Sequence, residues 1–241
     1  KKAAEDAKRG KLFTRLAREI VIAAREGGGD PEFNFSLRLA IDKAKAANMP
    51  KENIERAIKR GTGELEGGEL FEVIYEGYAP HGVALLVKTL TDNKNRTVAE
   101  VRSTLTRHGG SMAEAGAVAW QFERKGYLTI EPNGIDQDQV FEVAVEGGAE
   151  DITFGDDMVE VIAEPSDFES VQNALEDADI KIESSELSMI PKTPMQLDEK
   201  KTIQVMKIIE ELEDLDDVQQ IYSNMDISDD ILEKYDEAQG D

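Results

Sequence analysis

Residues 126–184 read GYLTIEPNGIDQDQVFEVAVEGGAEDITFGDDMVEVIAEPSDFESVQNALEDADIKIES, and the hydrophobic period switches repeatedly along them. YLTIEP (127–132) predicts a strand. IDQDQVFEVAVEGG (135–148) carries apolar residues at helical steps and stops on two glycines, the usual end of a helix. DITF (151–154) and MVEVIA (158–163) predict strands paired about the turn Gly155-Asp156-Asp157. SDFESVQNALEDA (166–178) predicts a helix opened by a Ser166 or Asp167 cap, and IKIESS (180–185) a closing strand. The order βαββαβ is that of the split ferredoxin-like unit.

Working outward, FEVIYEGY (71–78) and VALLVKTL (83–90) predict strands joined at Ala79-Pro80-His81-Gly82. Thr97-Val98-Ala99-Glu100 fits a capping box, in which the Thr hydroxyl and the Glu carboxylate satisfy free N–H groups of a starting helix. That helix is expected to run to about His108 and close at Gly109-Gly110. AVAWQF (117–122) is expected to be another strand. Past the βαββαβ unit come a strand ELSMI (186–190), a helix Asp198–Leu212 and a strand VQQIYS (218–223). Residues 66–124 and 185–241 are expected to complete one discontinuous α/β domain, with 125–184 inserted in it. The alternative is a separate C-terminal domain, but about 50 residues is small for independent stability.

Residues 1–63 predict three helices. In KLFTRLAREIVIAAREGGG, Phe13, Leu16, Ala17, Ile20 and Ala24 recur at three- and four-residue steps and make one apolar face. Lys11, Arg15, Arg18 and Arg25 fall opposite, on what is expected to be the solvent side. Gly27–Gly29 and Asp30-Pro31 end this helix. A second helix, about Ser36–Ala47, would bury Leu37, Ala40, Ile41 and Ala44. A third, with Pro50 in its first turn and Gly61 past its end, would bury Ile54, Ala57 and Ile58. The fold class expected is therefore α+β multidomain: a basic three-helix domain (1–63), then two ferredoxin-like α/β domains, the third inserted in the second. Gly61–Gly68 (GTGELEGG) is a linker. Its G-x-G-x-x-x-G spacing after a helix is not the strand-turn-helix fingerprint of a dinucleotide site.

Charge divides along the same boundary. The 241 residues have a formal net charge of −23, but residues 1–63 hold 15 Lys+Arg against 9 Asp+Glu, a net of +6, and the remainder 13 against 42, a net of −29. Such a split is expected of a basic module that seeks polyanions on a body that repels them. There is no cysteine, which excludes disulfides, thiol catalysis and Cys-ligated zinc and fits a reducing cytoplasm. No run approaches the ~20 apolar residues of a membrane span, and no signal peptide is visible. The first residue is Lys1 rather than Met, so the true N-terminus is expected to lie ahead of it.

Signatures of chemistry are missing. The two histidines, His81 and His108, each sit beside a glycine and have no spaced ligand partner. There is no G-x-S-x-G elbow and no G-x-x-x-x-G-K-[ST] loop. Acid pairs such as Asp156-Asp157, Asp216-Asp217 and Asp229-Asp230 are expected on a solvated surface. No enzyme, cofactor or metal is expected. What stands out is TDNKNRT (91–97), a cationic turn between a strand and a helix. Two readings are open there. Lys94 and Arg96, with the free N–H groups of the helix start, could seat a phosphate; or Arg96 pairs with an acid of the same domain and the turn is structural. The candidate nucleic-acid-binding residues are Lys8, Arg9, Lys11, Arg15, Arg18, Lys59, Arg60, Lys94, Arg96 and Arg102.

The phrases AAEDAKRGKLFTRLAREI, GGGDP, NMPKENIERAIKRG, YEGYAPHGVA, TDNKNRTVAEVR, GAVAWQF, VEGGAED and SMIP, spanning residues 3 to 191, together with the later DDVQQIYSN, resemble the YebC family. That family includes a mitochondrial translational activator of cytochrome oxidase subunit I. Its members begin with a further basic, His- and Trp-containing stretch ahead of KKAA. Many have proline after the asparagine matching Asn34, where this chain has Phe35, a departure that bears on the local turn. The resemblance implies three domains and a non-enzymatic role in gene expression without a cofactor. Bacterial relatives are described as transcriptional regulators that bind DNA; others act on translation at the ribosome. The expected function is thus a nucleic-acid-associated regulator of the DNA-binding type. The alternative is a translation factor that contacts ribosomal RNA or tRNA. Expected partners are DNA or ribosomal RNA, with the ribosome as a candidate and no membrane, and the acidic domains would meet basic proteins. A cytoplasmic location is expected.

Overall fold

A computed structural model describes residues 2–239, with side chains for 6–238. Three helices come first: α1 (Lys2–Gly27), α2 (Phe35–Ala46) and α3 (Lys51–Thr62). Leu16, Ile20, Leu37, Ile41, Ala44, Ile54 and Ala57 are buried together between them, so the apolar stripes meet as their periodicity requires. The joint between α1 and α2 is held by Asn34. Its side-chain oxygen accepts from Leu37 N and so caps α2, and its amide donates to the carbonyls of Ala23 at 2.9 Å and Gly28 at 2.8 Å. A Cβ on Gly27 would stand 2.6 Å from the Asn34 amide, which is why the chain has glycine there. Phe35 opens α2 directly, and its ring meets Phe168 edge-on at 5.4 Å.

Two four-stranded antiparallel sheets follow. The first has the order β3-β1-β2-β8, from β1 (Phe71–Tyr78), β2 (Ala84–Thr91), β3 (Ser111–Ala113) and β8 (Val218–Ser223). Two helices, α4 (Lys94–Arg107) and α7 (Glu199–Glu213), close its core: Val101, Leu105, Val205, Ile208 and Leu212 pack with Leu85, Val87 and Val218. β2 is central and buried on both faces, so its apolar run does not alternate with polar residues. The second sheet has the order β5-β6-β4-β7, from β4 (Phe122–Ile130), β5 (Asp151–Phe154), β6 (Val159–Ala163) and β7 (Ile182–Pro191), with α5 (Gln137–Gly147) and α6 (Phe168–Asp177) between strands. The chain order β4-α5-β5-β6-α6-β7 is the βαββαβ unit read from the sequence. It lies between the two parts of the first sheet, so the architecture is α+β with one ferredoxin-like unit inserted in another. A last helix, α8 (Asp229–Gln239), packs on α7.

Several elements differ from expectation. ELSMI is not a strand of the first sheet but the second half of β7, where Leu187 faces Gly126 and Ile190 faces Glu123 across to β4. Only Phe122 of AVAWQF is in a strand. Ala119–Gln121 form a 3-10 turn, and the apolar run reflects Val118 and Phe122 turning into a small cluster with Leu86 and Tyr222. Helix α4 starts one turn earlier than the Thr97 box implies. Asn93 is its cap, accepting from Arg96 N, and Thr97 is buried inside the helix. The three-residue β3 and the acidic α8 had no sequence reading.

Residues 62–69 are exposed throughout, and limited proteolysis should cut within Gly63–Gly68 first. The nicked fragments should co-elute at low salt and part only at high salt or in mild denaturant, because Lys11, Arg15 and Arg18 clasp α1 to the first sheet domain. Immediate separation at low salt would contradict that clasp.

Candidate nucleic-acid interface

The basic face of α1 turns toward the first sheet domain, with Lys11 exposed and Arg15 and Arg18 half-buried. Lys11 donates to Asp214 O at 3.3 Å and lies 3.7 Å from Asp216. Arg15 donates to Glu213 O and to Leu215 O, and Arg18 to Leu90 O at 2.8 Å and Asp217 Oδ1 at 3.0 Å. The solvent-side expectation is thus corrected for Arg15 and Arg18, while Lys11 stays exposed and makes its contacts at the surface, and the reason is electrostatic. The C-terminus of α7 at Glu213 ends in carbonyls without intrahelical donors and carries the negative end of the helix dipole. Lys11 and Arg15 of α1 supply donors there, and Arg18 reaches past it to Leu90 and Asp217.

Asp217 is the centre of this joint. It is 1% exposed, whereas the neighbouring Asp216 side chain is 78% exposed, so the pair expected at the surface is split between core and solvent. Its carboxylate accepts from Arg18, from Arg96 Nε at 3.1 Å and Nη2 at 2.9 Å, and from the Thr97 hydroxyl at 2.8 Å. Arg96 also reaches Asp92 at 2.8 Å. Burial opposes the charge on Asp217, but the Thr97, Arg96 and Arg18 bonds outweigh it and hold the carboxyl below its usual range. The N-terminus of α4 is therefore tied to β8 and α1 through Arg96. Lys94 lies over the Phe71 ring, 4.3 Å from its centroid, with its side chain exposed. Of the two readings of TDNKNRT, the one that pairs Arg96 with an acid of its own domain describes the geometry.

The remaining candidates are open. Lys8, Lys59, Arg60 and Arg102 are exposed and make no ion pair among the described residues, and Arg9 stands over Phe13 at 5.3 Å. Residues 6–12 are all exposed, and α1 first meets the bundle core at Phe13 and Leu16. With 26 residues the helix is about 39 Å long at 1.5 Å per residue, so Lys8 and Arg9 sit on an arm beyond the bundle. Arg56, Lys59 and Arg60 fall on one outward face of α3, with Glu52 and Glu55 beside them. Arg102 is on the outside of α4, in a different domain. The ten candidates thus separate into a structural set (Lys11, Arg15, Arg18, Arg96), a solvent-facing set on the helical domain (Lys8, Arg9, Lys59, Arg60), and Lys94 and Arg102 on the first sheet domain.

One residue without a sequence signal organises the other side of that domain. Glu76 is buried, and its carboxylate accepts from the N–H groups of Gly116 at 2.5 Å, Val118 at 2.9 Å and Ala119 at 2.6 Å. Burial works against its charge, but the three amides prevail and hold it below the usual carboxylate range. The loop so fixed presents Trp120, 66% exposed, with its Nε1 donating to Ala117 O. Where all three parts of the chain meet, α1, α2, β1, β2, β4, β7 and β8 line a cleft of about 420 Å³ that holds both Lys43, Lys88 and Arg124 and Glu19, Glu72 and Glu186; its mixed charge selects neither anion nor cation. Among the described residues no group of His, Asp or Glu is placed to hold a metal ion, and no helix is long and apolar enough to cross a membrane.

The chain is similar to known proteins over nearly its whole length. Residues 1–64 match the family domain described as the TACO1/YebC protein N-terminal domain, and residues 70–225 match the TACO1/YebC second and third domain. A probable transcriptional regulatory protein of Trichlorobacter lovleyi is 54% identical over 97% of this chain and 94% of its own length. One of Geobacter sulfurreducens is 53% identical over the same shares. The crystal structure of a conserved hypothetical protein from Aquifex aeolicus superimposes with a TM-score of 0.85 at 48% identity, covering 94% of each chain. With both domain matches and relatives above half identity, the chain belongs to the TACO1/YebC family.

Proposed function

We propose that this protein is a non-enzymatic regulator of gene expression that binds nucleic acid through the helical domain. The observation that carries this reading is the placement of charge. Lys8 and Arg9 on the projecting arm of α1 and Arg56, Lys59 and Arg60 on α3 face solvent, while the α/β body holds the net −29. Phosphates are recognised by such cations without a base code. The relatives' name of probable transcriptional regulatory protein supports DNA as the target. A second reading, structured RNA as offered by the ribosome, is favoured by the make-up of α3. Its outward face alternates Arg and Lys with Glu52 and Glu55 and carries no set of Asn, Gln and Arg spaced to read bases.

The test is binding of a labelled DNA duplex and of purified ribosomal subunits across a salt series, with the intact chain and with Lys59→Glu/Arg60→Glu and Lys8→Glu/Arg9→Glu. Each double change should weaken binding and lower the log–log salt slope by about one unit for each phosphate that is no longer neutralised. The circular dichroism should stay the same, since all four side chains are outside the core. Preference for duplex at equal salt identifies the DNA reading and preference for subunits the RNA reading. Unaltered affinity and slope for both ligands in both variants would remove the helical domain as the binding surface.

A further inference from the structure

Lys125 and Lys181 are the two bases among residues 125–184, against 17 Asp and Glu, a net of −15. Lys125 is itself mostly buried and clamped by Glu150 and Glu164, so it offers almost nothing to a partner. On this domain α5 lies over the β5 side of the sheet. It buries Val140 and Ala144 and turns Gly147 toward α6, where an added Cβ would meet Ala174 at 3.0 Å and Val171 at 3.1 Å. The opposite shoulder of α5 is unpartnered. Phe141 is 53% exposed and Val145 48%, and at a four-residue spacing they lie one above the other on the same side. Asp138, Glu142 and Glu146 form a row along one flank of this pair, all exposed and with no ion pair among the described residues.

We infer that this shoulder of α5 is a docking site for a basic protein, one that lays a Lys/Arg-rich amphipathic helix along it with an apolar residue between Phe141 and Val145. Two large apolar side chains next to each other on an exposed helix are the anchor of a helix-packing contact. The row of unpaired carboxylates beside that anchor sets the sign of what lies along it. Nucleic acid and anionic membrane surfaces are repelled by it. A second copy of this domain would set −15 against −15. A basic protein meets both the apolar and the charged requirement. The inference is independent of which nucleic acid the helical domain contacts; it concerns a surface that repels both.

The probe is a synthetic fluorescent helix of lysine and leucine, with the leucines on one face, compared with a counterpart in which serine replaces leucine. Binding is read by anisotropy with the full chain. The leucine peptide should bind at least tenfold more tightly than the serine peptide. Phe141→Ser/Val145→Ser should remove that difference while leaving the weak binding of the serine peptide in place. Glu142→Gln/Glu146→Gln should weaken both peptides at low salt and have less effect at high salt. Binding of the leucine peptide that both double variants leave unaltered would overturn the assignment. So would a concentration-dependent dimer in sedimentation equilibrium that Phe141→Ser/Val145→Ser abolishes, since the shoulder would then be a self-contact. Both apolar residues are half exposed, and circular dichroism of the variants confirms that the fold is kept.

Discussion

Asp217→Asn is expected to destabilise the protein by about 3 kcal/mol, lowering the melting temperature by roughly 10 °C for a chain of this size. Removing one member of a buried ion pair leaves its partners charged without a counterion, which typically costs about 3–5 kcal/mol. Here the low end applies. The Arg18 side chain is 22% exposed and that of Arg96 43%, so both can recover some hydration, and Arg96 keeps Asp92. The shape of the side chain is preserved in this variant, so what is lost is charge and acceptor capacity rather than packing. Asp216→Asn provides the control. Its side chain is exposed, and the change should stay within about 0.5 kcal/mol. If the two variants melt together, Asp217 does not hold the joint between α1, α4 and β8.

The same carboxylate sets a pH dependence. Its pKa is depressed in the folded state, so its contribution is present above the unfolded value, about 4, and is lost as pH falls through the lower, folded value. Stability should therefore fall on acidification below about pH 4, and in Asp217→Asn that acid limb should be shallower because one proton-linked group is gone. A limb of unaltered steepness would mean that other carboxylates carry the acid transition.

Asp217 also shows where sequence reading stops. The helices and most strands are legible because hydrophobic period depends on residues a few positions apart, and so is the insertion of one ferredoxin-like unit in another. The partners of Asp217 are 199 and 121 residues away, at Arg18 and Arg96, and its near neighbours Asp214 and Asp216 are ordinary surface acids. Nothing local separates it from them. The basic stripe of α1 fails for a related reason. Periodicity says that Lys11, Arg15 and Arg18 share a side, but it cannot say that the end of α7 covers that side. AVAWQF reads as a strand because Val118 and Phe122 are apolar and close together; the turn that buries them needs Glu76 to collect its amides, and Glu76 sits on a different strand. Lys8, Arg9, Lys59 and Arg60 are exposed in the structure, but nothing in the local sequence separates them from Arg15 and Arg18, whose partners are likewise distant in the chain.

Glu76→Ala should have the second large effect, about 3 kcal/mol, with a local signature that Asp217 lacks. Three backbone N–H groups end on that carboxylate, and a buried donor left unpaired costs about 1–3 kcal/mol. The sum is held down because Gly116 is exposed and Ala119 only half-buried, so their amides can turn to water, whereas Val118 is fully buried and its amide cannot. Glu76→Gln should fall between, since its carboxamide keeps one acceptor oxygen but turns an NH2 toward amides that are themselves donors. The chain has one tryptophan, and it is on this loop, so fluorescence reports the loop alone. The steady-state anisotropy of Trp120 should drop in Glu76→Ala at a temperature where far-ultraviolet circular dichroism is still native, because the Nε1 bond to Ala117 O depends on the turn that Glu76 holds. Since the loop leads straight into β4, loosening it also frees one of the two strands of chain that connect the inserted unit to the first sheet. Anisotropy that declines only together with global unfolding would show that the loop is held by Val118 and Phe122 packing, with the carboxylate incidental.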